Sequence, residues 1–147
     1  MTESLPAHLV GFPFIHWLEV RFRDLDVLGH VNNSVYATYL ESTRIEFYHH
    51  LTGLPLEKLN IILAELTIKY KAPAFYKDTL GVGIKVASFG SKSFAMEYAI
   101  VRPADDMVVA TARSVLVMYD YTLNKTVHIP DEFKRRVEEV QGPVGKH

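Results

Sequence analysis

Hydrophobic and polar positions alternate along residues 16–23, HWLEVRFR. Trp17, Glu19 and Arg21 fall on one side, and Leu18, Val20 and Phe22 on the other. A period of two predicts a strand. The period changes at residue 35. In VYATYLESTRIEFYHHL, residues 35–51, Tyr36, Leu40, Phe47 and Leu51 share one face, flanked by Val35 and Tyr39 and interrupted only by the small Thr43. That spacing predicts a long helix. Asn32, Asn33 and Ser34 are its candidate N-caps, and Gly53 and Pro55 stop it. His49 and His50 stand where cations suit the C-terminal end of the helix dipole. Beyond residue 59 the period returns to two. Strands are predicted over 60–71, 79–88, 93–102 and 107–121, with a turn at PADD, 103–106, and a short helix over 131–140 behind Pro130. Residues 1–13 contain two prolines and read as a loose lead-in.

The predicted order is one strand, one long helix and four strands. Strands that follow one another through short links favour antiparallel pairing. The expected fold is therefore α+β, a single domain over 1–147 in which a five-stranded antiparallel sheet curls around the helix. Such a sheet has open edges, which suit contacts between subunits.

Composition narrows the function classes. Hydrophobic residues are 48% and charged residues 22% of the chain, the balance of a globular protein. The formal net charge of −1 carries no basic excess for nucleic acid or an anionic membrane. The chain has no cysteine, which removes disulfides, thiolate metal sites and cysteine nucleophiles. No signal peptide is expected, and no apolar run approaches the roughly 20 residues of a membrane span. His49 and His50 are adjacent rather than four apart, so they do not form a helical zinc pair, and no metal site is expected. GVG, 81–83, precedes a strand rather than a helix, unlike a dinucleotide loop. No G-x-S-x-G nucleophile elbow is present.

Candidate chemistry concentrates in RDLDVLGHVNNSVYATYLE, residues 23–41, where a strand is joined to a helix N-terminus. The first N–H groups of a helix have no internal partner, and the dipole makes them a site for a developing oxyanion. A carboxylate just upstream supplies a base or a nucleophile. Acyl transfer uses that combination.

This stretch resembles the signature of hotdog thioesterases similar to 4-hydroxybenzoyl-CoA thioesterase: an Asp-x-Asp-x-x-Gly turn feeding a central helix, then a Tyr and an acidic residue. Here these are Asp24, Asp26, Gly29, Tyr36 and Glu41. GHVNN, 29–33, also resembles the turn of acyl-ACP thioesterases and of many bacterial acyl-CoA thioesterases. The order of elements agrees over roughly 16–121. The resemblance implies a hotdog fold, acyl-CoA thioester hydrolysis, a homodimer or homotetramer with sites at the interface, a cytoplasmic location, and no cofactor beyond the coenzyme A of the substrate. It puts Asp26 in the place of the catalytic carboxylate and the Asn33 N–H, with Gly29 beside it, in the place of the oxyanion donor. SKSF, 91–94, matches a strand start that contacts the CoA nucleotide in some relatives. Where those carry paired arginines this chain has Gly90 and Ser91, which leaves Lys92 and Ser93 as the nucleotide contacts.

The residues also have plainer readings. Asp24 shapes the turn. His30 is a candidate for orienting water or meeting the acyl group. Glu41 is a solvated or hydrogen-bonded carboxylate, and Tyr36 and Tyr39 belong to the packing face of the helix. Rival functions on the same scaffold are an acyl-ACP thioesterase and a non-catalytic acyl-thioester binding protein.

Overall fold

The computed structural model describes residues 4–147. Five strands form the body of the sheet: β1 (Phe14–Glu19), β2 (Ile61–Tyr70), β3 (Thr79–Phe89), β4 (Ser93–Arg102) and β5 (Met107–Asp120). Their spatial order is β1-β3-β4-β5-β2, and every neighbouring pair is antiparallel. The long helix α1 (Asn33–Thr52) lies across one face. Its Tyr36, Leu40, Phe47 and Leu51 meet Leu80, Val82 and Ile84 of β3 and Met96 and Ile100 of β4 in a single buried core. This is the hotdog arrangement that the resemblance implies.

Two short strands extend the sheet. Strand β6 (Lys125–Thr126) pairs with the end of β5, and β7 (Gly145–Lys146) runs parallel to Ser88 and Phe89. Between β1 and β7 the edge of β3 is closed by a side chain. The Gln141 amide donates to the Val86 carbonyl at 2.7 Å and accepts from the Val86 N–H at 3.0 Å, as a neighbouring strand would. Gln141 ends the second helix, α2 (Asp131–Gln141). The β2 edge, by contrast, has no strand beside it among the described residues.

Helix α1 begins where the caps predict. The Asn32 side chain accepts from the Ser34 N–H at 3.0 Å. At the other end Gly53 takes the left-handed conformation, φ 71°, and its N–H closes onto the His49 carbonyl at 2.7 Å. The buried face is wider than the apolar stripe suggests, because Arg44 and Tyr48 are also buried. The Arg44 guanidinium donates to the Tyr98 hydroxyl at 3.4 Å, and that hydroxyl shares a 2.6 Å hydrogen bond with Ser114.

Two expectations are corrected. The first strand does not run over 16–23. It ends at Glu19, and Phe22–Asp24 forms a 3-10 turn that leaves Phe22 75% exposed. The cause is Asp24, only 2% exposed, whose carboxylate takes the Arg21 N–H at 3.0 Å and bends the chain out of the sheet. The lead-in is not loose where it is described; residues 1–3 lie outside the described residues. Ala7–Leu9 forms a 3-10 turn, and Leu9 is fully buried against Ala99 and Val101 on the outer sheet face. The GVG glycines make this possible. A Cβ on Gly81 would sit 2.7 Å from the Trp17 ring and 2.8 Å from Leu9, and one on Gly83 would sit 2.6 Å from the Phe12 ring.

Asp24 also accepts from the Tyr39 hydroxyl at 2.6 Å and from the Arg21 guanidinium at 3.1 Å. Burial alone raises the pKa of its carboxyl, but the Tyr39 hydroxyl and the two Arg21 donors outweigh it and hold the group below its ordinary value. A depressed carboxyl stabilises the fold above the unfolded pKa of about 3.9, and that contribution is lost as pH falls through the folded value. Tyr39→Phe is therefore expected to lower stability by about 1.5–3 kcal/mol at neutral pH. The deficit narrows in acid, as urea unfolding on both sides of the carboxylate range would record. Asn32→Ala is expected to cost about 1 kcal/mol, and Asn32→Asp to keep the cap. Chemical denaturation of the two variants checks this.

Candidate active site

The segment between the 3-10 turn and α1 is a short hairpin. Leu25 and Val31 pair across it, the Asp26 N–H donates to the His30 carbonyl at 3.0 Å, and the Asn32 N–H donates to the Asp24 carbonyl at 3.0 Å. Its tip is Asp26-Val27-Leu28-Gly29. The Gly29 N–H donates to the Asp26 carbonyl at 3.1 Å, and Gly29 has φ 85°, which a residue with a side chain reaches only under strain. The Asp26 side chain joins this turn through one oxygen, which accepts from the Leu28 N–H at 2.9 Å. Its other oxygen lies 3.9 Å from His30 Nδ1. Asp26 is partly exposed, whereas Asp24, two residues earlier, is buried.

The hairpin hands the chain to α1 at Asn33. Asn32 takes the Ser34 N–H with its side chain and the Val35 N–H with its carbonyl, at 3.0 and 2.9 Å. The Asn33 N–H has no acceptor among the described residues. The Asn33 carbonyl is held from across the sheet edge, where the Tyr70 hydroxyl donates to it at 3.1 Å.

His30, Asn33 and Tyr70 border a cleft of about 240 Å³ that Val31, Tyr36, Lys71, Ala72 and Pro73 also line. The Tyr36 ring is packed between Tyr39 and Tyr70, at centroid distances of 6.0 and 5.6 Å. Burial pushes the Tyr36 phenol above its ordinary pKa, so it keeps its proton at neutral pH. Among the described residues, no three histidine, aspartate or glutamate side chains converge as a metal site requires.

One hairpin and the helix start it feeds thus carry Asp26, His30 and Asn33, the residues singled out from the sequence; His30 Nδ1 lies 3.9 Å from Asp26, and His30, Asn33 and Tyr36 share the cleft. Gly29 has a different place. Its N–H is taken by the Asp26 carbonyl, so its contribution is the left-handed bend rather than a hydrogen bond to an oxyanion. Glu41 lies on the outside of α1, 62% exposed and 4.0 Å from Arg44, away from the cleft. Lys92 and Ser93 are not brought to Asp26 within one chain. They sit at the β3–β4 turn, a full β3 of eleven residues, roughly 35 Å, from the end near the cleft. The Ser93 hydroxyl there is 3.0 Å from His147 Nε2. Two contributors escaped the sequence reading: Tyr70 and the 73–78 loop. The loop's Ala74 carbonyl accepts the Val31 N–H at 2.9 Å, and its Phe75 pairs with His30. The one local signal was the break at Pro73 after an alternating strand.

Comparison with known proteins agrees with this fold. Residues 20–137 match the family model described as the thioesterase-like superfamily. A putative esterase of Aquifex aeolicus is 31% identical over 125 residues, covering 82% of this chain and 94% of that protein. The long-chain acyl-CoA thioesterase FadM of Escherichia coli is 25% identical over 126 residues, covering 84% and 96%. Among solved structures, a thioesterase from Thermus thermophilus, complexed with coenzyme A and Zn, superposes with a TM-score of 0.84 at 30% identity. The match covers 91% of this chain and 98% of that one. The fold is shared across this group, and the chain belongs to the thioesterase-like superfamily.

Proposed function

We propose that this chain hydrolyses acyl-CoA thioesters to the free acid and coenzyme A. Asp26 is the carboxylate that activates water or attacks the carbonyl, and the Asn33 N–H is the oxyanion donor. The observation that carries this reading is the Asn33 N–H, left without an acceptor among the described residues at the head of a twenty-residue helix, on the same turn as Asp26. The thioester carbonyl accepts that hydrogen bond. As general base, Asp26 takes a proton from water while the water oxygen adds to the carbonyl carbon. The C–S bond then breaks and the proton passes to the departing thiolate. One oxyanion donor is worth roughly 2.7–4 kcal/mol, and general-base help about 10²–10⁴-fold. A thioester is activated enough for such a site to suffice without a full triad. His30 stands beside the second Asp26 oxygen, its Nδ1 3.9 Å away, and Tyr36 lines the path of the acyl group.

The coenzyme A in the Thermus relative and the acyl-CoA activity in the name of the Escherichia relative support the substrate class. A homo-oligomer goes with this reading. The β2 edge offers unpaired backbone groups among the described residues, and Leu63 and Tyr70 on it are 40% and 46% exposed. Lys92 and Ser93 are assigned to the nucleotide of a CoA held at a neighbouring copy's Asp26, since β3 separates them from their own. A cytoplasmic location goes with this reading, since acyl-CoA esters are intracellular metabolites.

The test is free-thiol release from a panel of acyl-CoAs by the purified protein and by Asp26→Asn. The asparagine retains an oxygen for the Leu28 N–H, so the turn survives the change. Turnover is expected to fall by about 10³-fold with folding intact. Turnover that persists in the variant would remove Asp26 from the mechanism.

A further inference from the structure

Resting on the thioesterase reading above, we propose that Arg102 is a positioning residue for the Asp26–Asn33 turn, acting through the 73–78 loop. Arg102 ends β4 and its side chain is only 15% exposed. One guanidinium nitrogen, Nη1, clamps both ends of the loop, donating to the Pro73 carbonyl at 3.0 Å and to Asp78 Oδ2 at 3.1 Å. The other two nitrogens are held as a fork by Asp105 in the following hairpin, at 3.0 and 3.1 Å.

Asp78 passes this constraint on. The same Oδ2 accepts the Phe75 N–H at 2.9 Å, and the Asp78 N–H donates to the Phe75 carbonyl at 3.0 Å. Phe75 pairs with His30, the Ala74 carbonyl accepts the Val31 N–H, and the His30 carbonyl accepts the Asp26 N–H. A continuous series therefore runs from Arg102 through Asp78 to the Ala74–Phe75 peptide group, from its carbonyl to the His30–Val31 peptide group, and from that carbonyl to the Asp26 N–H. Val31, held by the same loop, is two residues before Asn33. The far side of the loop is fastened to the exit of β1, with the Val20 N–H on the Asp78 carbonyl at 2.9 Å and the Lys77 N–H on the Val20 carbonyl at 3.1 Å. Lys77 is held at φ 68°, a left-handed conformation uncommon outside glycine, asparagine and aspartate, so the loop's shape is imposed by these bonds.

The role is geometric rather than electrostatic. Asp78 and Asp105 both lie against the guanidinium, so Arg102 presents no free positive charge to a CoA phosphate. A lysine has one nitrogen and cannot grip the Pro73 carbonyl, Asp78 and Asp105 in one plane. Displacing a reacting group by about 1 Å costs on the order of 10²-fold in rate, so a loop that fixes where Asp26 and Asn33 stand bears directly on turnover.

The test combines kinetics with amide hydrogen exchange on folded Arg102→Met, Arg102→Lys and Asp78→Asn. The last keeps an oxygen for the Phe75 N–H and serves if Arg102→Met does not fold. For Arg102→Met, kcat is expected to fall by about 10–10²-fold with KM within roughly threefold. Exchange at the Val31, Phe75 and Asp26 amides is expected to speed up by about tenfold or more, while the centre of α1 and the β4–β5 ladder stay protected. Arg102→Lys and Asp78→Asn are expected to show the same pattern, more weakly. Uniform loss of protection across the fold would reduce Arg102 to a general stabiliser. Unchanged exchange at Val31 and Phe75, or local loosening with wild-type kcat, would overturn the proposal. A wild-type protein that turned over no acyl-CoA would sink the thioesterase reading instead, and the exchange comparison would still decide whether Arg102 fixes the turn.

Discussion

The Asp24 carboxylate, buried and charged, fixes where everything else at the site stands. A lone carboxylate out of water is strongly unfavourable. This one is stabilised by the Tyr39 hydroxyl, the Arg21 N–H and the Arg21 guanidinium. Those donors come from the end of the first strand and from the second turn of α1, so satisfying the charge joins the two elements. The Asp24 carbonyl then takes the Asn32 N–H, which closes the hairpin and delivers the chain to its cap. A residue without an acceptor at this position would leave the Arg21 N–H and the Tyr39 hydroxyl without these partners.

Two aspartates two residues apart thereby do opposite work. Asp24 is consumed by the fold. Asp26 is only half engaged, with one oxygen on the Leu28 N–H and the other open toward His30 and solvent. The same division holds among the asparagines. Asn32 spends its side chain and carbonyl on the helix start, and what remains is the Asn33 N–H. One Asp26 oxygen and the Asn33 N–H, the two groups proposed for catalysis, are thus left over by a turn whose other polar groups pair with one another. The surrounding sheet contributes through Tyr70 and the 73–78 loop, which hold the turn from the side away from α1.

Much of this was legible in the sequence because it rests on local periodicity and local turn chemistry. Strands β2 to β5, both helices and the Gly53 stop follow from spacing and residue type alone, and the cap was narrowed to Asn32, Asn33 and Ser34, from which the structure selects Asn32. What was not legible depends on long-range pairing. The alternation of Val20 and Phe22 continues the strand pattern past Glu19, and nothing local shows that Asp24 finds Tyr39 in the helix beyond the turn. The burial of Arg44 depends on Tyr98 and Ser114 of distant strands, which supply its polar neighbours. Leu9 reads as lead-in because its partners, Ala99 and Val101, lie far along the chain on the outer face of β4. Asp26, His30 and Asn33 could be singled out together because they lie on one short segment of the chain. The hydrogen bond from the Gly29 N–H to the Asp26 carbonyl was not legible, because it depends on the turn type. Lys92 and Ser93 were placed by analogy with a strand start, whose distance from Asp26 only the topology reveals.

The most direct measurement is the amide spectrum of isotope-labelled protein titrated with an acyl-CoA analogue whose thioester sulfur is replaced by methylene, leaving a ketone that cannot be hydrolysed. If the Asn33 N–H receives the carbonyl oxygen, its resonance moves downfield on saturation and far more than those of Gly29 or the β3–β4 turn. Saturable binding with the Asn33 amide unmoved would contradict the assignment of the oxyanion donor and, with it, the catalytic turn.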